Sequence, residues 1–325
     1  MRQMWNKRFA LGLEITDFAA KAAEITVRSK SRAAINRHAA ERLPDDSIRE
    51  GRILQKEAVA ETLRSLMRRL QPRTRKVHIA LPGSSVMIRF LKLPDLPDKK
   101  LRKVIEFELE HRIPLPFDSP QFDFVKLGSP APAGGDALRD VMLVAAPLET
   151  IREYAEVVAL AGLAVKSIEI RPLSLLRLIE RTGQAEPGKT VLLADVGDRM
   201  SDLGMIHNGE LRVARSIPIA FPDPESGDSA ALRRACGELV QEIERLLIFF
   251  RYNLRFRDRS IDRILLSGEV PYLERIMLEL AGSTNLNAEI SLVSGEAFRM
   301  RTIEAEQAFL SLAVPIGLAL RGIGP

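Results

Sequence analysis

Two short loops carry the residue types best suited to chemistry. The first is Leu11-Gly12-Leu13-Glu14-Ile15-Thr16-Asp17-Phe18-Ala19-Ala20-Lys21, and the second is Leu192-Leu193-Ala194-Asp195-Val196-Gly197-Asp198-Arg199-Met200-Ser201-Asp202. In each, an apolar strand leads to an acid, an aliphatic residue, a small residue and an aspartate, and a second strand follows. A carboxylate at a strand end with a glycine turn behind it can grip phosphate and magnesium. The acid holds the ion, and the turn brings backbone N–H groups to the phosphate oxygens. Thr16 stands where the first loop needs glycine, so a Cβ lies in the path of the phosphate. Asp17 and Asp198 each add charge where negative oxygens would sit. Two like charges ~4 Å apart repel by roughly 4 kcal/mol at an effective dielectric near 20. The chain is therefore either an ATPase or a protein that kept the shape of one.

The elements that position these loops follow from periodicity. Phe9–Ile15 and Ala20–Val27 read as a strand pair, followed by polar sequence to Pro44. Val59, Leu63, Leu66 and Leu70 mark an amphipathic helix over Lys56–Leu70. Strands Val77–Leu81 and Val86–Leu91 precede a helix over Lys99–His111. Short strands (Phe122–Leu127, Val141–Ala145, Val165–Ile170) and a helix over Leu148–Ala161 come next, so 77–170 reads as a compact α+β module. Val191–Asp195 and Leu203–His207 repeat the opening strand pair. A long helix over Ala230–Arg255, a strand over Ile261–Leu266 and a closing helix over Glu304–Arg321 complete the second half. A strand-pair module that recurs in each half predicts an internally duplicated α/β fold.

Composition narrows the function classes. The chain has 325 residues, 46% hydrophobic and 28% charged, with a formal net charge of +5. Aromatics make up 5% and nowhere interleave with basic residues, which argues against nucleic acid as a partner. The lone Cys236 excludes an internal disulfide, and its apolar neighbours predict a buried thiol. His38, His78, His111 and His207 lack metal-ligand spacing. The start of the chain has no apolar run that would serve as a signal peptide, and the stretch Ala308–Leu320, interrupted by Pro315, is too short to span a bilayer. A protein without a membrane anchor of its own is expected.

An ordered set of stretches resembles the PilM family, the actin-like cytoplasmic protein of type IV pilus assembly. They are Ala80-Leu81-Pro82-Gly83-Ser84, Arg89-Phe90-Leu91-Lys92-Leu93-Pro94, Ile105-Glu106-Phe107-Glu108 and Arg112-Ile113-Pro114-Leu115-Pro116-Phe117-Asp118. Ala145-Ala146-Pro147, Leu160-Ala161-Gly162-Leu163, Asp195-Val196-Gly197, Glu242 through Phe250, Ile264-Leu265-Leu266-Ser267-Gly268 and Pro315 through Arg321 follow. The set spans nearly the whole chain.

The resemblance implies a duplicated actin-like (ribonuclease H-like) bilobal fold with an inserted α+β subdomain. Lobe I would comprise 1–76 with 171–190 and the C-terminal helix 304–325. The module shared with the cell-division protein FtsA would be 77–170. Lobe II would be 191–303 with a reduced outer subdomain, since little more than Pro218 to Ala230 separates its second strand pair from the long helix.

For ligands, the resemblance implies ATP and magnesium held by Glu14, Thr16, Lys21, Asp195, Gly197, Ser267 and Gly268, with Asp195 reaching the metal through water. The family's serines are replaced by Phe18, Ala19 and Ala20, and Glu269 stands at its second glycine. No cofactor and no catalytic residue are therefore expected.

For partners, the resemblance implies the N-terminal tail of a PilN-like inner-membrane protein, with other pilus platform subunits and the motor ATPase beyond it. Such a protein would be cytoplasmic and peripheral to the inner membrane. The expected tail-binding residues are Leu81, Pro82, Val86, Ile88, Phe90, Ile105 and Leu109. Alternatives are an active ATPase or sugar-kinase-like enzyme, a filament former, or the actin-like subunit of type II secretion, which continues into a membrane helix.

Overall fold

The computed structural model describes residues 8–29, 32–128, 137–197, 199–222, 227–253, 256, 259–270, 272–283, 288–300 and 302–323. The apolar run after Arg8 becomes β1 (Arg8–Ile15), which pairs antiparallel with β2 (Ala19–Ser29). The latter pairs along its length with β3 (Arg32–Arg42). Chain 29–44, read from sequence as polar, thus contains a full strand. Its alanines and arginines have weak strand preference, but pairing with β2 and burial of Ala33, Ile35 and Ala39 override propensity.

A small hairpin, β4 (Ile48–Arg49) and β5 (Arg52–Ile53), leads into α1 (Lys56–Leu70). This helix buries Val59, Leu63, Leu66, Met67 and Leu70 against the first sheet. The next strand, β6 (Lys76–Leu81), lies parallel to β1. Then come β7 (Met87–Pro94), α2 (Asp98–His111), β8 (Pro120–Lys126) and β9 (Leu138–Pro147). Those three strands form a separate sheet in the order β7-β9-β8. Helix α3 (Leu148–Leu160) returns the chain to β10 (Ala164–Ile170), which lies parallel to β6 in the large sheet, and α4 (Arg171–Arg181) follows. Both β6, from Val77 onward, and β10 lie within the expected 77–170 module and pair in the large sheet. Strands β6 and β10 belong to the large sheet because their side chains Val77, Ile79 and Leu81, and Ile170, fill its core.

The second half repeats the plan. Strands β11 (Thr190–Val196), β12 (Ser201–His207) and β13 (Glu210–Ile217) form an antiparallel meander. Next are α5 (Ser229–Asn253), β14 (Arg263–Gly268), α6 (Leu273–Ser283) and β15 (Glu289–Leu292). One sheet has the order β10-β6-β1-β2-β3-β16, where β16 is Phe298–Arg299, and the other β13-β12-β11-β14-β15. Read from the β1 and β11 side, meander and parallel strands coincide, which is the duplication expected from the paired loops.

Between the sheets lies one continuous core. Leu175 and Leu178 of α4 share that core with Ile25 and Ala10 from the first sheet and Val191, Leu193 and Ile206 from the second. The expected closing helix is broken into α7 (Ile303–Gln307), a 3-10 turn at Leu310–Leu312 and α8 (Ala313–Arg321). Pro315 is accommodated in the first turn of α8, where no backbone donor is required. Helix α8 is buried from Ala313 to Leu320. It approaches β1 so closely that a Cβ on Gly12 would lie 1.9 Å from the Pro315 carbonyl oxygen. Gly12→Val is expected to cost about 3 kcal/mol or more in urea unfolding; a loss below about 1 kcal/mol would show that α8 can retreat.

Buried His207 and the half-buried His38 and His78 give the fold a pH dependence. Burial pushes His38, His78 and His207 below the usual imidazole range. His78 Nδ1 shares a 2.7 Å hydrogen bond with Ser167, and His207 Nδ1 a 3.0 Å one with Thr190. The unfolded chain takes up these protons at higher pH than the native state does, so stability falls as pH drops from 6.5 through the native values. The melting temperature should decline across that window, and more weakly in His78→Gln.

Candidate functional site

Strand register assembles the cleft between the two halves. Cross-strand pairing places Glu14 opposite Lys21 in β1–β2 and Asp195 opposite Asp202 in β11–β12. Parallel pairing sets Ser267 beside Asp195 and Gly268 beside Val196. Glu14, Lys21, Asp195, Val196, Asp202 and Gly268 face one cavity, which Thr16, Asp17, Gly197 and Glu269 also line, while Ser267 is buried behind Asp195. Of the sequence-expected nucleotide residues, Glu14, Thr16, Lys21, Asp195, Gly197 and Gly268 line the cavity and Ser267 touches it only through Asp195; Asp198 lies outside the described residues.

The centre of the cavity is filled by a residue the sequence reading missed. Arg171, the first residue of α4, extends its guanidinium into three carboxylates. Its Nη1 lies 2.5 Å from Glu14, its Nη2 donates to Asp195 at 2.6 Å, and its Nε lies 2.6 Å from Asp202. Two acids directly opposite in adjacent strands repel, as do acids facing across a cleft; a planar five-donor cation compensates all three. A signal did exist. Arginine before Pro172 puts a cation at a helix N-terminus, where the macrodipole disfavours it.

The remaining polar groups are also engaged within the protein. Lys21 pairs with Glu269 and lies 4.0 Å from Glu14. Burial pulls Lys21 down, but Glu14 and Glu269 outweigh it and hold the ammonium above its usual range. Burial also raises Glu14, and Arg171 and Lys21 offset part of that rise. Ser267 donates to the second oxygen of Asp195 at 2.7 Å. Thr16 accepts from the backbone N–H groups of Phe18 at 3.3 Å and Ala19 at 3.1 Å, so its hydroxyl satisfies the turn's own donors. The Asp17 carboxylate accepts from Glu50 N at 2.6 Å and Gly51 N at 3.0 Å, which ties the loop to the β4–β5 turn. Gly268, at φ +135°, lets β14 pass Val196 where a Cβ would lie 2.0 Å from its carbonyl oxygen.

A second concavity lies beyond that turn. Glu50 and Ser84 line both the cleft and a groove of about 940 Å³. One side of the groove is α3, through Leu148, Arg152, Glu153 and Glu156; the other is Val86, Met87 and the segment Pro116–Ser119. Of the expected tail-binding residues, Val86 lines this groove. Pro82 lines the cleft, and Leu81 and Ile88 line a smaller hollow between cleft and groove. Ile105 is fully buried and Leu109 packs beside it under α2, while Phe90 packs on the main core. None of these three lines the groove, because Ile105 and Leu109 pack on the small sheet and Phe90 packs into the main core. The α3 residues gave no sequence signal beyond a helical period.

Duplicated lobes with strand-end carboxylates facing across a cleft define an actin-like fold. A family model described as type IV pilus assembly protein PilM matches residues 12–218, and the chain belongs to that family. Among solved structures, a chain of a "PilM-PilN type IV pilus biogenesis complex" is similar at 25% identity and TM-score 0.83, covering 97% of this chain and 99% of that one. The ethanolamine utilization protein EutJ from Carboxydothermus hydrogenoformans shares the fold at 12% identity and TM-score 0.52, over 96% of this chain and 89% of that one. So does the cytoplasmic domain of EpsL from the type II secretion system of Vibrio cholerae, at 10% identity and TM-score 0.50, covering 97% and 94%. Among the described residues no helix is long and apolar enough to cross a membrane.

The Arg171 cluster makes a direct prediction. Arg171→Met leaves three carboxylates facing one another and is expected to cost about 3–5 kcal/mol in chemical denaturation. Adding Asp202→Asn should recover part of that loss. A destabilisation below about 1 kcal/mol in the single variant would contradict the central role of the guanidinium.

Proposed function

We propose that the chain is an actin-fold scaffold of a type IV pilus assembly platform that binds the N-terminal cytoplasmic tail of a PilN-like inner-membrane protein. Through that tail it sits on the cytoplasmic side of the inner membrane, next to other platform subunits and the motor ATPase. The observation that carries this reading is the likeness, over 97% of the chain, to a chain of the PilM–PilN complex. The groove supports it. Val86, Met87, Phe117 and Leu148 offer an apolar floor with charged groups along the rim, which suits an extended or turn-like peptide.

The cleft, on this reading, has no nucleotide to hold. Both oxygens of Asp195 are engaged by Arg171 and Ser267, so a magnesium ion or its water would have to displace one of them. Among the described residues, the lining carries six carboxylates against three cations, the wrong balance for a triphosphate. Its cavity, about 140 Å³, falls below the roughly 300–1,000 Å³ of ordinary small-molecule sites. Each of these features favours a scaffold over an ATPase.

Fluorescence anisotropy with a labelled synthetic tail of the PilN-like protein from the same gene cluster tests the proposal. Micromolar binding is expected without nucleotide, unchanged by magnesium–ATP, and about tenfold or more weaker in Val86→Asp and Leu148→Asp. Absence of binding would refute the partner. Calorimetric heat with magnesium–ATP at micromolar affinity, lost in Asp195→Ala, would restore the enzyme reading.

A further inference from the structure

Helix α2 carries a charge pattern that its own fold does not use. Its inner side, Leu101 and Ile105 with Val104 and Leu109 beside them, packs on the small sheet. The opposite side presents Lys100, Lys103, Phe107 and Glu110, all exposed. Phe107 is 51% accessible, with its ring stacked on His111 at 4.3 Å. At about 3.6 residues per turn these four positions form a single stripe.

Taken alone, the pattern works against the helix. Lys99 and Lys103 are one turn apart, as are Lys100 and Lys103, and so are Glu106 and Glu110; like charges at this spacing repel. Lysines crowd the N-terminal half and glutamates the C-terminal half, the reverse of what the macrodipole favours. Neighbouring elements do not compensate. Arg102 pairs with Asp123, Asp98 with Lys126 and Glu108 with Arg112. Among the described residues, none of Lys99, Lys100, Lys103, Glu106 and Glu110 has an oppositely charged side-chain atom within 4.0 Å. Local rules broken in this concerted way point to an interaction that the isolated fold does not contain.

The stripe is complementary to itself. Turned end for end about Ile105, it sets Lys100 opposite Glu110 and Lys103 opposite Phe107, each pair occurring twice. We propose that α2 is the contact for a second copy of this chain, with two α2 helices lying antiparallel across a two-fold axis. Lys100–Glu110 charge pairs close both ends, and the Lys103 ammonium lies over the Phe107 ring near the centre. The Lys100–Lys103 and Glu106–Glu110 repulsions of the lone helix then each gain an opposite charge from the partner. A 14-residue helix spans about 21 Å, so the contact buries less than the roughly 1,200–2,000 Å² of a stable dimer. The association is therefore weak, concentration-dependent and screened by salt. It uses neither cleft nor groove and stands apart from the tail-binding proposal.

Sedimentation velocity on the full chain, from low micromolar to several hundred micromolar protein, is the test. A reversible dimer is expected at low salt, dissolving at high salt. Lys100→Glu and Glu110→Lys should each weaken it about tenfold or more, and Phe107→Ser should do the same. The double variant K100E/E110K, in which the two charges are exchanged, should dimerise again. Unchanged circular dichroism and unfolding midpoints would confirm that these exposed substitutions leave the fold intact. A wild-type chain that stays monomeric throughout overturns the proposal. So do single variants that dimerise like wild type, or a double variant that fails to recover.

Discussion

One buried guanidinium governs how the two halves of this molecule meet. Arg171 sits where β10 hands over to α4, and it reaches Glu14 from the first sheet and Asp195 and Asp202 from the second. Removing three carboxylates from water is costly, and their mutual repulsion adds to that cost. A single planar cation at 2.5–2.6 Å from all three offsets both terms and fixes the angle at which the strand ends face one another. The shared core of α4 and α8 then packs behind that contact, so interlobe geometry is over-determined by charge in front and apolar burial behind.

The cleft is consequently bound to the rest of the protein through its polar groups. Asp17 is the clearest case. Its carboxylate anchors the amides of Glu50 and Gly51, the buried Tyr154 hydroxyl donates to Gly51 O at 3.1 Å, and Glu50 continues into the groove wall. A residue that reads as hostile to phosphate is thus a tie between the first loop and α3. Thr16 behaves likewise, since its hydroxyl satisfies the turn's own donors. Both polar side chains of the first loop are thus engaged inside the protein.

The fold was legible because its signals are local and repeated. Apolar strands ending in Glu14 and Asp195, each followed seven residues later by a charged cross-strand partner, announce the duplication directly. Strand β3 was not legible, since Ala33, Ala34 and Ala39 take their strand conformation from pairing with β2. The cleft residues of the two loops were found from type and spacing and Ser267 and Gly268 from the resemblance, but Arg171 lies some 24 residues before Asp195 and belongs to neither loop. Long-range ion pairing has no period to read. The groove failed for a related reason: Ile105 and Leu109 advertise an apolar helix face, yet that face is spent on the small sheet. The groove wall is assembled from α3, the Pro116–Ser119 segment and Val86, far apart in the chain.

The same logic separates the outward surfaces of the inserted sheet. Apolar residues of α2 are consumed inside, so its outer side is left with charge alone plus Phe107. Charge without counter-charge is tolerated on a surface because water screens it, but nothing in folding selects a pattern that opposes both the helix dipole and its i, i+4 neighbours. The groove by contrast is apolar at its floor and mixed in charge at its rim, and it lies between this sheet and the first lobe. Two surfaces of such different chemistry call for different partners: an apolar floor rewards an inserted side chain, whereas a polarised helix rewards a partner polarised in the opposite sense. A second α2, reversed, meets that second requirement with no further assumption about sequence.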